Sequence, residues 1–263
     1  RSKDYDRLRD LFRPGHADFT FQAKFGLRDH RGGGRSSGRE TACRVAGGAI
    51  AQEILRAEGV SVLAYTVELG GVEARVLDPE GAQQRPFFSP DPEAPARFEE
   101  RIREVKGQGD SLGGVVEIQV LGLPPGLGEP VFDKLDARLA SALMGVGAVK
   151  GVDIGSGCRA ARMLGSENND PITPEGFLSN NAGGILGGIS TGQPVKARAF
   201  VKPIPSIAIE QSTVTSSGEA ATIQVGGRHD ICAIPRIVPV LKAMVALACA
   251  DLLLLDRRLG RER

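Results

Sequence analysis

No C-x-x-C pair occurs in this chain, and its four cysteines, Cys43, Cys158, Cys232 and Cys249, are far apart in sequence. That argues against structural zinc and fits reduced thiols in a cytoplasmic compartment. Net charge is nearly absent, with 33 Lys and Arg against 32 Asp and Glu, so no global field draws the protein to nucleic acid or to a membrane. Long apolar runs are missing too. The longest near the C-terminus, Ala243 to Ala250, lies between Lys242 and Asp251 and is too short to span a bilayer. Residues 1–30 are charged throughout and hold no apolar h-region for secretion. The opening Arg1-Ser2-Lys3-Asp4-Tyr5, without Met, is how a processed protein or a fragment begins.

Several chemical motifs are absent as well. There is no G-x-x-x-x-G-K-[ST] phosphate loop, no H-E-x-x-H metal helix and no nucleophile elbow. Gly155-Ser156-Gly157-Cys158-Arg159-Ala160 matches G-x-G-x-x-A, but Gly165 cuts the helix that a dinucleotide site would need next, so a tight turn is the better reading.

What remains is globular: 263 residues, 41% hydrophobic and 25% charged, enough for a core without staples. Glycine is abundant, at 35 residues, and clusters at 32–34, 107–114, 145–157 and 183–192, where backbone could approach a flat ligand closely. Residues 1–44 carry 9 Arg and 2 Lys against 5 Asp and 1 Glu, together with His16 and His30. This excess suggests an anion site.

Helical spacing predicts helices over 40–57, about 95–106 and about 130–144, and a closing helix over 234–255 with Pro235 and Pro239 in its first turns. Strands are expected at 60–69 and 72–77, joined as a hairpin by Gly70-Gly71, and at 115–121, 148–154, 195–201 and 221–225. The polar stretch 165–184 is too long for an ordinary connector, and reads as a functional loop or a poorly ordered one. Hairpins and separate helices favour α+β over a doubly wound sheet.

Three segments carry the chemistry. Arg13-Pro14-Gly15-His16-Ala17-Asp18 is a turn displaying an imidazole beside cations, which would tend to keep His16 neutral unless an anion binds. Gly32 to Thr41, GGGRSSGRET, leads into a helix start with free amides, two hydroxyls and two guanidiniums, the inventory for phosphate. The third comprises NNAGGILGGISTG from Asn180, KPIPSI from Lys202 and GRHD from Gly227.

Taken in order with VKGVDIGSG and GSENND, these blocks resemble chorismate synthase from Arg1 almost to Leu255. The resemblance implies one domain over 1–263, a β-α-β sandwich of antiparallel sheets around helices, and a homotetramer in the cytoplasm. It implies a lyase that converts 5-enolpyruvylshikimate 3-phosphate to chorismate and phosphate with reduced FMN. NADPH enters only if the protein reduces its own flavin. By motif, His16 and Asp230 match the family's catalytic residues beside the flavin. Arg35, Ser36, Ser37, Gly147, Ala148, Gly187, Lys202, Pro203, Ile204, Pro205, Ser206 and Arg228 match its FMN-binding positions. Arg39 and Arg228 match clamps for the substrate's carboxylates or phosphate. The family's upstream S-H-G and R-x-R-P-G motifs do not occur here, His30 stands where tyrosine is common, and Ile231 where proline is. The alternative expectation is a catalytically impaired remnant that keeps the fold and at most weak FMN affinity.

Overall fold

The computed structural model describes residues 8–30, 38–225 and 230–260. Its helices are α1 (Asp18–Phe25), α2 (Thr41–Ala57), α3 (Ala94–Gly107), α4 (Leu135–Met144), the single turn α5 (Gly165–Asn168) and α6 (Ile234–Arg258). Its strands are β1 (Ser61–Leu69), β2 (Val72–Glu73), β3 (Gly114–Leu121), β4 (Val149–Ile154), β5 (Ile172–Thr173), β6 (Gly176–Phe177), β7 (Ile185–Leu186), β8 (Ile189–Ser190), β9 (Val195–Val201), β10 (Gln211–Val214) and β11 (Ala220–Ile223).

One antiparallel sheet, in the order β2-β1-β3-β9-β4, organises the chain. The fold is α+β, as the hairpin pattern predicts. Alternation along β3 and β9 separates two faces. Val116, Ile118, Val120, Val195, Ala197 and Ala199 join Val62 and Ala64 on the helix-covered face. The other face carries a row across four strands, Tyr65, Glu117, Arg198 and Asp153. Buried Glu117 accepts hydrogen bonds from Tyr65 Oη at 2.5 Å, Gln119 Nε2 at 2.9 Å and Arg198 Nε at 2.8 Å. Burial would raise its pKa, but those three donors prevail and lower it.

Helix α6 lies across β1 and β3, with α2 stacked on it. Close approach is possible because Gly48 of α2 meets Ala243: a Cβ at Gly48 would stand 2.3 Å from that of Ala243. By length and composition α6 could cross a bilayer, yet two thirds of its apolar window, 67%, is buried in this core. It runs past the expected end at Leu255 to Arg258, where Gly260, at φ 67°, follows in left-handed backbone.

Two other boundaries differ from expectation. Helix α4 begins at Leu135 because residues 129–133 close a turn, with Glu129 and Asp133 exchanging backbone hydrogen bonds. Strand β2 stops at Glu73 because the Arg75 amide turns to Asp91. Asp91, buried, also accepts from the Glu93 amide and from Arg97 Nη2, each at 2.9 Å, tying β2 to the head of α3.

Burial opposes ionisation of Asp91, but these donors outweigh it and hold its pKa down at about 2. A depressed folded pKa gives stability that is present above the unfolded value of about 3.9 and is lost as pH falls through the folded one. Asp91→Asn is therefore expected to cost about 2 kcal/mol at neutral pH and to flatten the stability curve between pH values of about 4 and 2. Urea unfolding across that range reads it, and an unchanged slope would contradict this assignment.

The long polar stretch 165–184 is a tied loop. Asp170 accepts from Ser179 Oγ at 2.5 Å and from the amides of Asn181 at 2.7 Å and Ala182 at 2.8 Å. Asn180 donates to Pro194 O and accepts from Gly184 N, fastening the loop to the lead-in of β9. The G-x-G-x-x-A match also resolves as a turn, since Gly155 and Gly157 have positive φ and a 3-10 helix, Gly157–Arg162, follows.

Candidate active site

Residues 8–30 form a strap laid on the β10–β11 hairpin. Phe12 N donates to Val214 O at 3.2 Å, Ser216 N to Asp10 O at 2.8 Å, and Thr213 Oγ1 to Phe12 O. Leu8, Ile223 and Val225 make a small separate core beneath it. Pro14 and Gly15, the latter at φ 70°, then turn the chain so that His16 stands above the head of α1.

An ion cluster holds that turn. Asp18, 3% exposed, lies 3.0 Å from His16 Nδ1 and accepts from Arg13 Nε at 2.7 Å and Arg13 Nη2 at 2.9 Å. Arg28 Nη1 is 3.3 Å from the same carboxylate, and its Nη2 donates to the carbonyls of Leu8, Arg9 and Leu11 at 2.8 to 3.0 Å. Burial would push the Asp18 pKa up, but hydrogen bonds from Arg13 and His16 reverse this and hold it far below the usual carboxylate range. The expected cation is beside His16, with Arg13 Nη2 3.1 Å from Nδ1, but a carboxylate stands there too. Arg13 and Arg28 are both engaged by Asp18, so the imidazole faces a cation that is already paired and the carboxylate that pairs it.

The Lys202 segment packs beside this turn. Lys202 Nζ donates to Gly15 O at 2.6 Å, and Gly15 approaches Pro205 so closely that a Cβ would touch it at 3.4 Å. Lys202 N donates to Ala148 O at 2.9 Å, where Ala148 adopts φ 74° although it is not glycine. Strained backbone of this kind marks places where the surroundings over-determine a conformation. Ile204 O accepts from Ser111 Oγ at 2.6 Å. The neighbouring Leu112 N donates to Ile231 O at 2.7 Å, which places Asp230 on the same rim. Asp230 itself is exposed and accepts from Arg236 Nη2 at 2.9 Å. Arg39 lies in the turn entering α2, and Arg44, in the first turn of that helix, donates to Gly145 O at 2.8 Å. The head of α2 therefore adjoins Gly147 and Ala148.

Beside the Lys202 segment, on the polar face of the sheet, opens a groove of about 380 Å³ bounded by Glu68, Gly70, Gly71, Gly113, Gly114, Lys150, Phe200, Lys202 and Pro203. Glycines leave much of its wall as bare backbone, and Lys150 and Lys202 outnumber Glu68, leaving a positive excess. Flat aromatic ligands with an anionic tail suit such a surface.

The structure thus brings together His16, Gly147, Ala148, the segment Lys202 to Ser206, Arg39 and the rim bearing Asp230. Gly187 stands apart. It forms the β7–β8 turn, whose Gly188 O accepts from Leu135 N at the head of α4, whereas Gly147 and Ala148 follow the tail of that helix. Ten residues at 1.5 Å each put about 15 Å between those ends. Arg35, Ser36, Ser37 and Arg228 lie outside the described residues. Sequence reading missed Asp18 and Arg28 as the groups that hold His16. The signal for Asp18 was in the motif, a carboxylate two residues after the histidine; none existed for Arg28.

An antiparallel α+β fold that gathers a carboxylate-held histidine, lysines and a glycine-walled groove at one end of its sheet defines an enzyme for a small anionic substrate. The chorismate synthase family model matches residues 1–254. A chorismate synthase of Maridesulfovibrio salexigens is 65% identical over 260 residues, covering 99% of this chain and 74% of the relative. That of Nitratidesulfovibrio vulgaris strain Hildenborough is 64% identical, covering 99% and 73%. A crystal structure of chorismate synthase aligns with a TM-score of 0.74 at 34% identity, covering 91% of this chain and 70% of that one. The chain belongs to the chorismate synthase family, phosphate-eliminating carbon–oxygen lyases of aromatic amino acid biosynthesis.

Proposed function

We propose that this groove is where reduced FMN and 5-enolpyruvylshikimate 3-phosphate meet, and that His16 is the proton-handling group beside the flavin. The observation that carries the reading is the docking of the His16 turn onto the Lys202 segment through Lys202 Nζ, Gly15 O and Pro205. The residues present fit the cofactor: glycine backbone for the ring system, Lys150 and Lys202 for an anionic tail, and the strained Ala148 carbonyl fixing the Lys202 amide. Arg35, Ser36, Ser37, Ser206 and Arg228 would complete the flavin site on the family's pattern.

In the reaction the substrate's carbon–oxygen bond to phosphate and a carbon–hydrogen bond break, and one new double bond forms, with no net change of oxidation state. Reduced FMN, held there, would supply transient electron density to the substrate as phosphate is lost and would not be consumed. The chain's own part is electrostatic and positional. Arg39 and Arg228 neutralise the substrate's carboxylates and phosphate, His16 holds and moves a proton, and Asp230 orients the ligand pair. We further propose a homotetramer in the cytoplasm. Phe132, 94% exposed, and Val131 support an interface, and the four free thiols support a reducing compartment. NADPH would be needed only if the protein reduces its own flavin, and the turn at Gly155 to Gly157 gives it no dinucleotide site.

If flavin and substrate share the groove, each completes the other's surroundings, so reduced FMN is expected to bind at least about tenfold more tightly with substrate present, a coupling of about 1.4 kcal/mol. Anaerobic fluorescence titration of reduced FMN, with and without 5-enolpyruvylshikimate 3-phosphate, measures this. Equal affinities would count against a shared site.

A further inference from the structure

We infer that Asp18 is a positioning residue that fixes the tautomer of His16 and thereby makes Nε2 the atom through which protons pass; this rests on the reading of His16 given above. Two groups compete for His16 Nδ1. Asp18 Oδ1 lies 3.0 Å away at ion-pair distance and can only accept, and Arg13 Nη2 lies 3.1 Å away in hydrogen-bond geometry and can only donate. These demand opposite protonation of the same nitrogen. With a proton on Nδ1, the ring donates to a carboxylate, a charge-assisted bond. Arg13 loses nothing by this, since its Nε and Nη2 already donate to Asp18 at 2.7 and 2.9 Å. Asp18 therefore prevails over Arg13.

The carboxylate is well placed for this role. It is fixed by the Arg13 backbone amide at 3.2 Å as well as by both arginine side chains, so its orientation is not free to change. No hydrogen bond to Nε2 occurs among the described residues, and the ring, next in the chain to the Gly15 that meets Lys202 and Pro205, keeps 24% of its surface exposed. Orientation of an imidazole by a buried carboxylate on one nitrogen frees the other for acid and base work. Remove the charge on Asp18, and the Arg13 donors turn to Nδ1. The proton then moves to Nε2, and the neutral ring presents N–H where a lone pair is needed.

Long-range proton–nitrogen NMR of the ¹⁵N-labelled protein, recorded where His16 is neutral, reads the tautomer with no variant at all. We expect the proton on Nδ1; finding it on Nε2 overturns the inference. In Asp18→Asn the proton should move to Nε2. Turnover by that variant should fall about 10²–10⁴-fold, with the substrate KM and the reduced-FMN Kd changed less than about threefold. In a His16→Ala background, Asp18→Asn should cause no further loss of kcat, because it acts only through that ring. A loss that persists there would mark Asp18 as merely structural and sink the inference alone. Full turnover by His16→Ala itself would instead overturn the reading of His16 and the inference with it.

Discussion

His16→Ala is expected to lower turnover by about 10²–10⁴-fold while shifting the melting temperature by no more than a few degrees. The first half follows from the site. His16 belongs to the turn that docks on the Lys202 segment, and a group that moves a proton in the rate-determining step contributes on that scale. The second half follows from packing. The imidazole sits in a turn, partly exposed, and Asp18 keeps Arg13 and Arg28 as partners when the ring is gone. Turnover with reduced FMN and thermal unfolding decide the two halves separately. A large fall in melting temperature would make the ring part of the fold, and undiminished turnover would move the proton chemistry elsewhere.

Arg28→Ala has the opposite profile and the larger structural effect. Its guanidinium joins the Asp18 carboxylate to the carbonyls of Leu8, Arg9 and Leu11 and lies over the Phe12 ring at 5.2 Å. Removing it takes one cation from the buried Asp18 carboxylate, which keeps Arg13, and takes a side-chain donor from three carbonyls at once, a loss of about 3 kcal/mol, the low end of the cost of breaking a buried pair. The strap should open as a unit, because the hairpin contacts, the small core of Leu8, Ile223 and Val225 and the Lys202 bond to Gly15 then hold it without its central cation. Hydrogen exchange at Phe12 N and Ser216 N is expected to accelerate at least about a hundredfold. Amides in β3 and α6 should keep their protection. Uniform acceleration everywhere would mean that the strap is not a separate cooperative unit, and no acceleration would mean that Arg28 does not anchor it.

The fold was legible where periodicity was strong. Helices α2, α3 and α6 and strands β1, β3 and β9 follow the apolar spacing of the sequence because each buries one face in the core between sheet and helices. Helix α1 was not legible. Its residues, DFTFQAKF, show no apolar stripe, and only Asp18 among them is buried, so the helix is anchored by an ion cluster rather than by a hydrophobic face. Strand β10 was missed for a similar reason: QSTV pairs with β11 and leaves Ser212 and Val214 exposed, without the alternation that signals a strand. The order of residues 165–184 depends on Asp170 reaching Ser179, Asn181 and Ala182, contacts that no local rule anticipates.

The candidate site divides in the same way. His16, Ala148, Lys202 and Asp230 were legible through the order of their motifs. Their meeting place was not, because it depends on β9 and β4 pairing so that Lys202 lies beside Ala148. Asp18 stood in the His16 motif, but Arg28 was hidden because an ion pair across ten residues has no signature in the sequence. Gly187, legible by motif, turns out to lie at the far end of α4.

The most direct test of the central claim is an anaerobic assay with 5-enolpyruvylshikimate 3-phosphate and photoreduced FMN, following phosphate release and the chorismate absorbance together. The account predicts one phosphate for each chorismate, reduced flavin still reduced when the substrate is exhausted, and no product with oxidised FMN. Phosphate released without chorismate, or equal turnover without reduced flavin, would contradict it.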